Sequence, residues 1–125
     1  MNEYQKKLKK LMDEYVHFIY KMTKEFPNDE RYGATSQIRR AAMSVILNYI
    51  EGYARRRIAV RYNLLETSYG SLRESRYLLH FSFVEKYIDE KSYKHGTKLA
   101  DEVGAMLWTE ISNIEQKIIK FKKNN

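Results

Sequence analysis

Cysteine is absent from the 125-residue sequence, which excludes disulfide bonds and thiolate metal sites and is typical of a reducing compartment. Proline occurs once, as Pro27, and the five glycines are scattered, so no linker or domain boundary is indicated. No apolar run approaches the roughly 20 residues that cross a bilayer, and the N-terminal segment lacks the apolar core of a signal peptide. We therefore expect one domain over residues 1–125, located in the cytoplasm and not in a membrane.

Negative charge is scarce relative to positive charge. The sequence holds 23 Lys and Arg against 16 Asp and Glu, which gives a formal net charge of +7. Such a surplus favours anionic partners, such as nucleic acid, an acidic protein or an anionic surface. It also serves solubility alone, so composition leaves both interpretations open.

Apolar and aromatic residues recur at alternating steps of three and four, which predicts amphipathic helices and no strands. The four series are Tyr4, Leu8, Leu11, Tyr15, Ile19 and Met22; Ile38, Ala42, Val45, Tyr49 and Gly52; Tyr62, Leu65, Tyr69, Leu72, Leu79 and Phe83; and Leu99, Val103, Met106, Ile111, Ile114, Ile118 and Phe121. The first helix should end ahead of Phe26-Pro27, and Thr35 or Ser36 should cap the second. Short connections then predict an all-α, up-down-up-down four-helix bundle.

The second helix carries more apolar surface than one core face requires. A further set, the second stripe, lies on a different side from the core series and comprises Met43, Ile46, Leu47, Ile50 and Ala54. A helix that is apolar nearly all round should be buried nearly all round, so we predict that another copy of the chain covers Met43, Ile46, Leu47 and Ile50. The alternative is that long neighbouring side chains cover them within one subunit.

Polar residues of the second helix form one narrow line, the polar strip. Its members are Gln37, Arg40, Ser44, Asn48, Glu51 and Arg55, spaced three or four apart. The strip is interpreted either as a hydrogen-bonded seam between subunits or as a groove that binds phosphate. We favour the seam, because polar residues between two apolar bands more often hold a structure together.

An up-down bundle would collect most of the clustered basic charge at one end, the basic end. The residues predicted there are Lys6, Lys7, Lys9, Lys10, Arg55, Arg56, Arg57, Arg61, Lys117, Lys120, Lys122 and Lys123, whereas Asp29, Glu30, Glu85, Asp89 and Glu90 fall at the opposite end. Lysines at the start of a helix place positive charge where the helix dipole disfavours it. The forked donors of Arg match the oxygens of phosphate. We predict contact with RNA or DNA here, with Tyr53 and Tyr62 able to stack on unpaired bases. A plain solvated surface is the alternative.

No set of residues points to catalysis or to metal or cofactor binding. The three histidines, His17, His80 and His95, lack further ligands at metal-binding spacing, and neither a phosphate-binding loop nor a nucleophile elbow occurs. The sequence therefore predicts a protein that is not an enzyme. A protein-interaction scaffold whose charge is incidental is the alternative to nucleic-acid binding.

Four segments carry a family resemblance: FPNDERYGATSQIRRAA (Phe26 to Ala42), NYIEG (Asn48 to Gly52), GSLRES from Gly70, and LADEVGAML (Leu99 to Leu107). Together they resemble the four-helix-bundle proteins of the 23S rRNA intervening-sequence family and, more distantly, accessory proteins of diversity-generating retroelements. The resemblance implies a cytoplasmic bacterial homopentamer. The retroelement proteins imply a basic surface that contacts nucleic acid and a reverse transcriptase.

Individual positions both match and depart from the family pattern. The matching residues are Gln37, Arg39, Arg40, Ser44, Asn48, Glu51, Gly52, Arg55, Gly70, Ser71, Leu72 and Glu74. Ile46 stands where the family commonly has proline, Arg76 stands where it tends to have glutamate, and the segment from Arg57 to Arg61 is more basic than usual. These departures leave in doubt whether the second helix is kinked and whether the ion pair of that glutamate is formed.

Overall fold

The computed structural model describes residues 1–124, which form four α-helices and no strand. The helices are α1 (Glu3–Met22), α2 (Ala34–Ala54), α3 (Ile58–Val84) and α4 (Glu90–Lys123). Short 3₁₀ turns at Thr23–Glu25 and Asn28–Glu30 connect α1 to α2. The prediction of an all-α chain with four helices is confirmed. Within the described residues, no helix combines the length and the apolar composition needed to cross a bilayer.

Each helix packs against the helices that precede and follow it in the chain, and α4 closes the bundle by packing on α1. The Tyr4 hydroxyl of α1 donates to the Met106 carbonyl of α4 at 2.9 Å, whereas Phe18, further along α1, contacts His95. These contacts run in opposite directions along the two helices, so α1 and α4 are antiparallel. The faces formed by α1 with α2 and by α3 with α4 lie on opposite sides of the bundle.

The core follows the four predicted series with a few departures. Leu8, Tyr15, Ile19, Ile38, Ala42, Val45, Tyr49, Leu65, Leu79, Val103 and their neighbours are buried. Tyr4 and Phe121, which also fall on the series, are exposed by 39% and 70%. They lie near the start of α1 and the end of α4, where the helix pattern continues beyond the residues that the bundle can cover.

Three serines that the apolar pattern leaves out occupy core positions of α3. They are Ser68, Ser75 and Ser82, repeating every seven residues like Leu65, Leu72 and Leu79. The Ser68 hydroxyl donates to the Val45 carbonyl at 2.6 Å, and the Ser75 hydroxyl lies 2.8 Å from that of Tyr15. Burial raises the pKa of Tyr15 to about 12. Because every one of these hydroxyls has a partner, the core accommodates them without unsatisfied polar groups.

The start of α2 differs from the prediction. The helix begins at Ala34, and Thr35 lies buried within its first turn, so neither Thr35 nor Ser36 is the cap. Gly33 occupies the N-cap position and has no side chain, and Glu30 supplies the acceptor because the 3₁₀ turn folds it back over the helix end. Its Oε2 accepts from the Ala34 N–H at 2.9 Å, and its Oε1 accepts from the Tyr87 hydroxyl at 3.3 Å. A carboxylate at a helix N-terminus also complements the dipole.

Acidic residues at this end of the bundle therefore cap helices. Asp89 precedes α4 and accepts from the Ser92 N–H at 2.8 Å. That hydrogen bond to the charged carboxylate lowers the pKa of Asp89. Two of the five acids predicted opposite the basic end, Glu30 and Asp89, thus serve helix starts that need acceptors.

Replacing Glu30 with alanine should lower the free energy of unfolding by about 1 kcal/mol, because α2 loses its cap and Tyr87 loses its acceptor. Urea denaturation followed by circular dichroism measures the change. Asp29→Ala removes an exposed carboxylate from the same turn and is the matched control, with an expected change below about 0.5 kcal/mol. Equal losses in the two variants would contradict the assigned cap.

Candidate nucleic-acid interface

The antiparallel order brings the start of α1, the end of α2, the start of α3 and the end of α4 to the same end of the bundle. All the lysines and arginines of the basic end are exposed except Arg61, which is half-buried. The described cations therefore come from four separate segments of the chain and share one surface. This is the placement that the sequence predicted for an up-down bundle.

Three consecutive arginines make up the link between α2 and α3. Arg55 donates to the Glu51 carboxylate, one helical turn away, at 2.6 Å. Arg56 and Arg57 are exposed, and within residues 1–124 neither forms an ion pair. Consecutive like charges repel unless solvent or an anion compensates for them, so this link is the part of the end best suited to receive phosphate.

Arg61 has a structural role that the sequence did not reveal. Its Nε donates to the Gly52 carbonyl at 3.2 Å, and a terminal nitrogen donates to the Arg55 carbonyl at 3.1 Å. Its guanidinium also lies 4.7 Å from the centre of the Tyr53 ring. Arg61 thus closes the C-terminus of α2, where free carbonyls need donors. We leave it out of the residues proposed to contact phosphate.

The lysines of α1 and α4 border the arginine link. Lys6 lies 3.5 Å from Glu3, whereas Lys120, Lys122 and Lys123 occupy the last turn of α4. Because Tyr4 meets Met106, α4 continues for roughly 25 Å beyond that contact at 1.5 Å per residue, past the start of α1. The last lysines therefore extend the basic surface along a projecting helix.

The second stripe divides into a covered part and an exposed part. Ile46 is 8% exposed and shares a surface recess with Lys6, Lys9 and Lys10 of α1, so this residue is covered within one chain. Leu47 and Ile50 remain 55% and 40% exposed, and Met43 is half-buried. The interpretation that neighbours cover the stripe holds for Ile46 and fails for Leu47 and Ile50.

The polar strip forms hydrogen bonds inside the chain. The Asn48 amide donates to the Ser44 carbonyl and hydroxyl at 2.9 and 2.8 Å, and the Ser44 hydroxyl lies 2.8 Å from that of Ser71 on α3. The middle of the strip therefore joins α2 to α3 in one subunit. Gln37 and Arg40 are exposed. A recess of about 320 Å³ lies beside Leu47, bordered by Tyr20, Arg40, Met43, Ser44, Asn48 and Glu51.

A buried carboxylate next to the basic end went unnoticed in the sequence. Glu110 is 7% exposed, and the hydroxyls of Tyr49 and Tyr53 donate to its two oxygens. Burial, with the adjacent carboxylate, raises the pKa of both tyrosines above the ordinary value. Two signals could have found it: Glu110 falls on the core series of α4, and Tyr49 and Tyr53 lie one turn apart.

The cluster formed by Glu110, Tyr49 and Tyr53 links the core to the basic end. Tyr53 contacts Glu110 through its hydroxyl and Arg61 through its ring, and Arg61 in turn closes α2. Tyr53 is therefore engaged through its hydroxyl and through one face of its ring, and the predicted stacking on an unpaired base would have to use the other face. Among the described residues, no group of His, Asp and Glu is arranged to hold a metal ion.

Glu110→Ala should lower the free energy of unfolding by roughly 1–3 kcal/mol, because two tyrosine hydroxyls lose their acceptor in the core. The triple variant Tyr49→Phe, Tyr53→Phe, Glu110→Leu removes donors and acceptor together and should regain most of that loss. Both values come from urea denaturation at neutral pH. A triple variant no more stable than Glu110→Ala would show that these hydrogen bonds are not the cause.

Comparison with solved structures supports the fold. A protein with unknown function from the S23 ribosomal protein family, from Bacteroides thetaiotaomicron VPI-5482, matches with a TM-score of 0.81. The two chains are 21% identical, and the match covers 87% of this chain and 98% of that one. At this identity the likeness concerns the fold alone. No curated protein matches the chain.

Comparison with family models is more specific. The model described as 23S rRNA-intervening sequence protein matches residues 5–109, which is most of the sequence. The matched span includes the arginine link and the second stripe and ends before Glu110 and the last lysines of α4. The chain belongs to the 23S rRNA-intervening sequence protein family.

Proposed function

We propose that this chain is a non-enzymatic protein that assembles into a homo-oligomer and binds RNA or another nucleic acid through its basic end. The observation that carries the proposal is the gathering of exposed lysines and arginines from four chain segments at one end of the bundle. The cytoplasm, where nucleic acid is accessible, is the compartment that fits this role.

Electrostatics favours a polyanionic ligand at this end. Lys6 lies in the first turn of α1, where positive charge opposes the helix dipole, and Lys7, Lys9 and Lys10 follow in the next turn, so these lysines are placed close together at the start of one helix. The consecutive arginines of the link repel one another as well. A phosphate backbone relieves the repulsion in both places through charge-assisted hydrogen bonds and the release of counterions.

Self-association would strengthen the effect. Leu47 and Ile50, one turn apart on α2, leave apolar side chains in water, and a second copy of the chain is the simplest cover for them. A ring of copies would bring several basic ends within a few screening lengths of roughly 8 Å, so that their potentials add. A pentamer is the assembly that the family resemblance implies.

A protein partner is the second candidate for the same end, and one observation favours it. Ile58, Val60 and Ile119 lie there with 38%, 37% and 42% exposure, interspersed with the cations. Mixed apolar and basic surfaces suit an acidic protein. The contact with a reverse transcriptase implied by the retroelement resemblance would be of this kind.

Changing Arg55, Arg56 and Arg57 together to alanine should weaken binding to a labelled single-stranded RNA, whatever its sequence. The slope of log affinity against log salt should become shallower by about 2, because each phosphate contact contributes roughly 0.7. Fluorescence anisotropy at several salt concentrations measures both quantities.

The matched control changes Lys21, Lys24 and Lys91 to alanine, which removes the same charge from exposed positions at the opposite end. It should leave the slope nearly unchanged. Binding by the arginine variant that equals the parent's at every salt concentration would exclude the basic end as the site.

Leu47→Asp should separate the copies and thereby lower the affinity for RNA without altering any basic residue. Loss of several linked basic ends removes the avidity of the assembly. The control, Tyr32→Asp, places the same charge at a residue of the α1–α2 connection that is 87% exposed. Equal anisotropy curves for the two variants would separate RNA binding from self-association.

A further inference from the structure

The C-terminus of α2 is held by a side chain that comes from α3. The Nε atom of Arg61 donates to the Gly52 carbonyl at 3.2 Å, and a terminal nitrogen of the same guanidinium donates to the Arg55 carbonyl at 3.1 Å. The Gly52 carbonyl also accepts from the Arg55 N–H at 3.4 Å. Arg61 therefore binds both the last turn of α2 and the first residue of the arginine link, and it fixes the path by which the chain leaves the helix.

The Arg61 side chain is itself held in place from below. Its guanidinium lies 4.7 Å from the centre of the Tyr53 ring, and the Tyr53 hydroxyl donates to the buried carboxylate of Glu110 on α4. A planar guanidinium that lies over an aromatic ring is already oriented when its donors meet carbonyls. An unbroken series of contacts thus runs from the core to the arginine link.

Close packing of α2 against α3 brings Arg61 within reach of these carbonyls. A Cβ atom placed on Gly52 would lie 2.6 Å from a methyl carbon of Leu65 and 3.6 Å from the Arg61 carbonyl oxygen. Leu65 is fully buried, so it has no room to move aside. The glycine at position 52 therefore lets the start of α3 approach the end of α2.

The arginine link receives little support from its own side chains. Its backbone is extended at Arg55 and at Arg57, and no side chain of the link caps the start of α3. Arg55 pairs with Glu51, whereas Arg56 and Arg57 are exposed. The order of the link therefore depends largely on Arg61, which holds its first carbonyl.

Order in this link affects its affinity for a polyanion. A binding loop that is fixed before the ligand arrives loses less conformational entropy when the ligand binds. Three consecutive arginines also repel one another, so an unsupported link would spread its charges apart. A supported link keeps those charges closely spaced, which is the arrangement that successive phosphates of one strand require.

We propose that Arg61 is a positioning residue of the nucleic-acid interface: it holds the arginine link in the conformation in which the link contacts phosphate. Arg61 acts through the carbonyls of Gly52 and Arg55 and makes no phosphate contact of its own. This inference rests on the proposed function, to which it adds a residue that sets the affinity without touching the ligand.

Helix α1 ends in the same arrangement at the opposite end of the bundle, which supplies a matched control. Arg39 of α2 donates through Nε to the Thr23 hydroxyl at 2.7 Å and through a terminal nitrogen to the Tyr20 carbonyl at 3.2 Å. Its guanidinium lies 4.8 Å from the centre of the Tyr20 ring. Arg39 and Arg61 are both half-buried and close their helices in the same way, but only Arg61 lies beside the arginine link.

Arg61→Lys and Arg39→Lys each keep the positive charge and remove the forked donors, so both should lower the urea midpoint by similar amounts. Only Arg61→Lys should weaken binding to a labelled single-stranded RNA, by about three- to ten-fold, because the link must then become ordered during binding. The slope of log affinity against log salt should stay within about 0.5 of the parent's, since no phosphate-contacting residue changes. Fluorescence anisotropy at several salt concentrations measures both quantities.

Limited digestion with trypsin tests the positioning without RNA. Trypsin cleaves after arginine, and cleavage within the link requires the chain to leave its fixed path. Arg61→Lys should speed cleavage within the link by about ten-fold, because two hydrogen bonds that hold it are lost. Arg39→Lys should stay within about two-fold of the parent's rate at the same bonds, with the fragments identified by mass spectrometry.

A combined variant shows whether Arg61 acts through the link. When Arg55, Arg56 and Arg57 are already alanine, Arg61→Lys should cause no further loss of RNA affinity, because the side chains that it positions are gone. The Arg55 carbonyl belongs to the backbone and remains in this background, so the stability effect of Arg61→Lys should persist. An additional loss of RNA affinity of three-fold or more would overturn the proposal, since Arg61 would then contact the RNA directly.

The outcomes separate this inference from the proposed function. If the triple-alanine variant loses affinity while Arg61→Lys binds as the parent does, the proposed function stands and the positioning role is overturned. Equal losses in Arg61→Lys and Arg39→Lys, or an unchanged rate of cleavage within the link, would overturn it as well. If the triple-alanine variant binds RNA like the parent, the proposed function fails and the inference fails with it.

A second pair of variants serves if Arg61→Lys does not fold, as judged by circular dichroism. Arg61→Gln and Arg39→Gln remove the same charge from the two equivalent positions and leave a shorter amide donor. Cleavage within the link is then the deciding measurement. Faster cleavage in Arg61→Gln alone supports the positioning role, and equal rates in the two variants contradict it.

Discussion

Helix α2 carries more apolar surface than its neighbours α1 and α3 cover. Its inward side builds the core with Ile38, Val45 and Tyr49, and α1 covers Ile46. Leu47 and Ile50 stay in contact with water, at a free-energy cost that scales with their exposed apolar area. The proposed assembly follows from this excess, and the proposed gathering of the basic ends follows from the assembly.

At the basic end, like charges repel one another, and nearby carboxylates offset only part of that repulsion. Two carboxylates near it are committed to structural contacts: Glu51 pairs with Arg55, and Glu110 lies buried beneath Tyr49 and Tyr53. Arg61 turns inward to close α2. The remaining cations face solvent with little local compensation, a distribution that suits a ligand carrying many negative charges better than one with a single charge.

Much of the architecture was predictable because helical spacing and connection length are local properties. The steps of three and four gave four helices, and short connections made adjacent helices antiparallel, which placed the cations at one end. The Glu30 cap was missed because it depends on a 3₁₀ turn that folds a carboxylate back onto Ala34. The buried serines of α3 were missed since their partners, such as the Val45 carbonyl, lie on another helix.

The sequence predicted which residues lie at the candidate site, but it did not predict what each of them does there. Charge counting cannot tell Arg56, which faces solvent, from Arg61, which is bound to two carbonyls, because the difference arises from the packing of α3 beside the end of α2. The same holds for the second stripe, in which one turn of the helix separates covered Ile46 from exposed Ile50. The close approach of α4 to α3 depends on Gly104, because a Cβ atom there would come within 3.3 Å of Leu72.

The central claim is that copies of the chain cover the exposed apolar surface of α2. Light scattering on the unmodified chain at low micromolar concentration tests it most directly. The account predicts a mass that is a multiple of the 15.0 kDa chain, five-fold for the pentamer that the resemblance implies. A mass of 15.0 kDa would contradict it, because Leu47 and Ile50 would then remain in water.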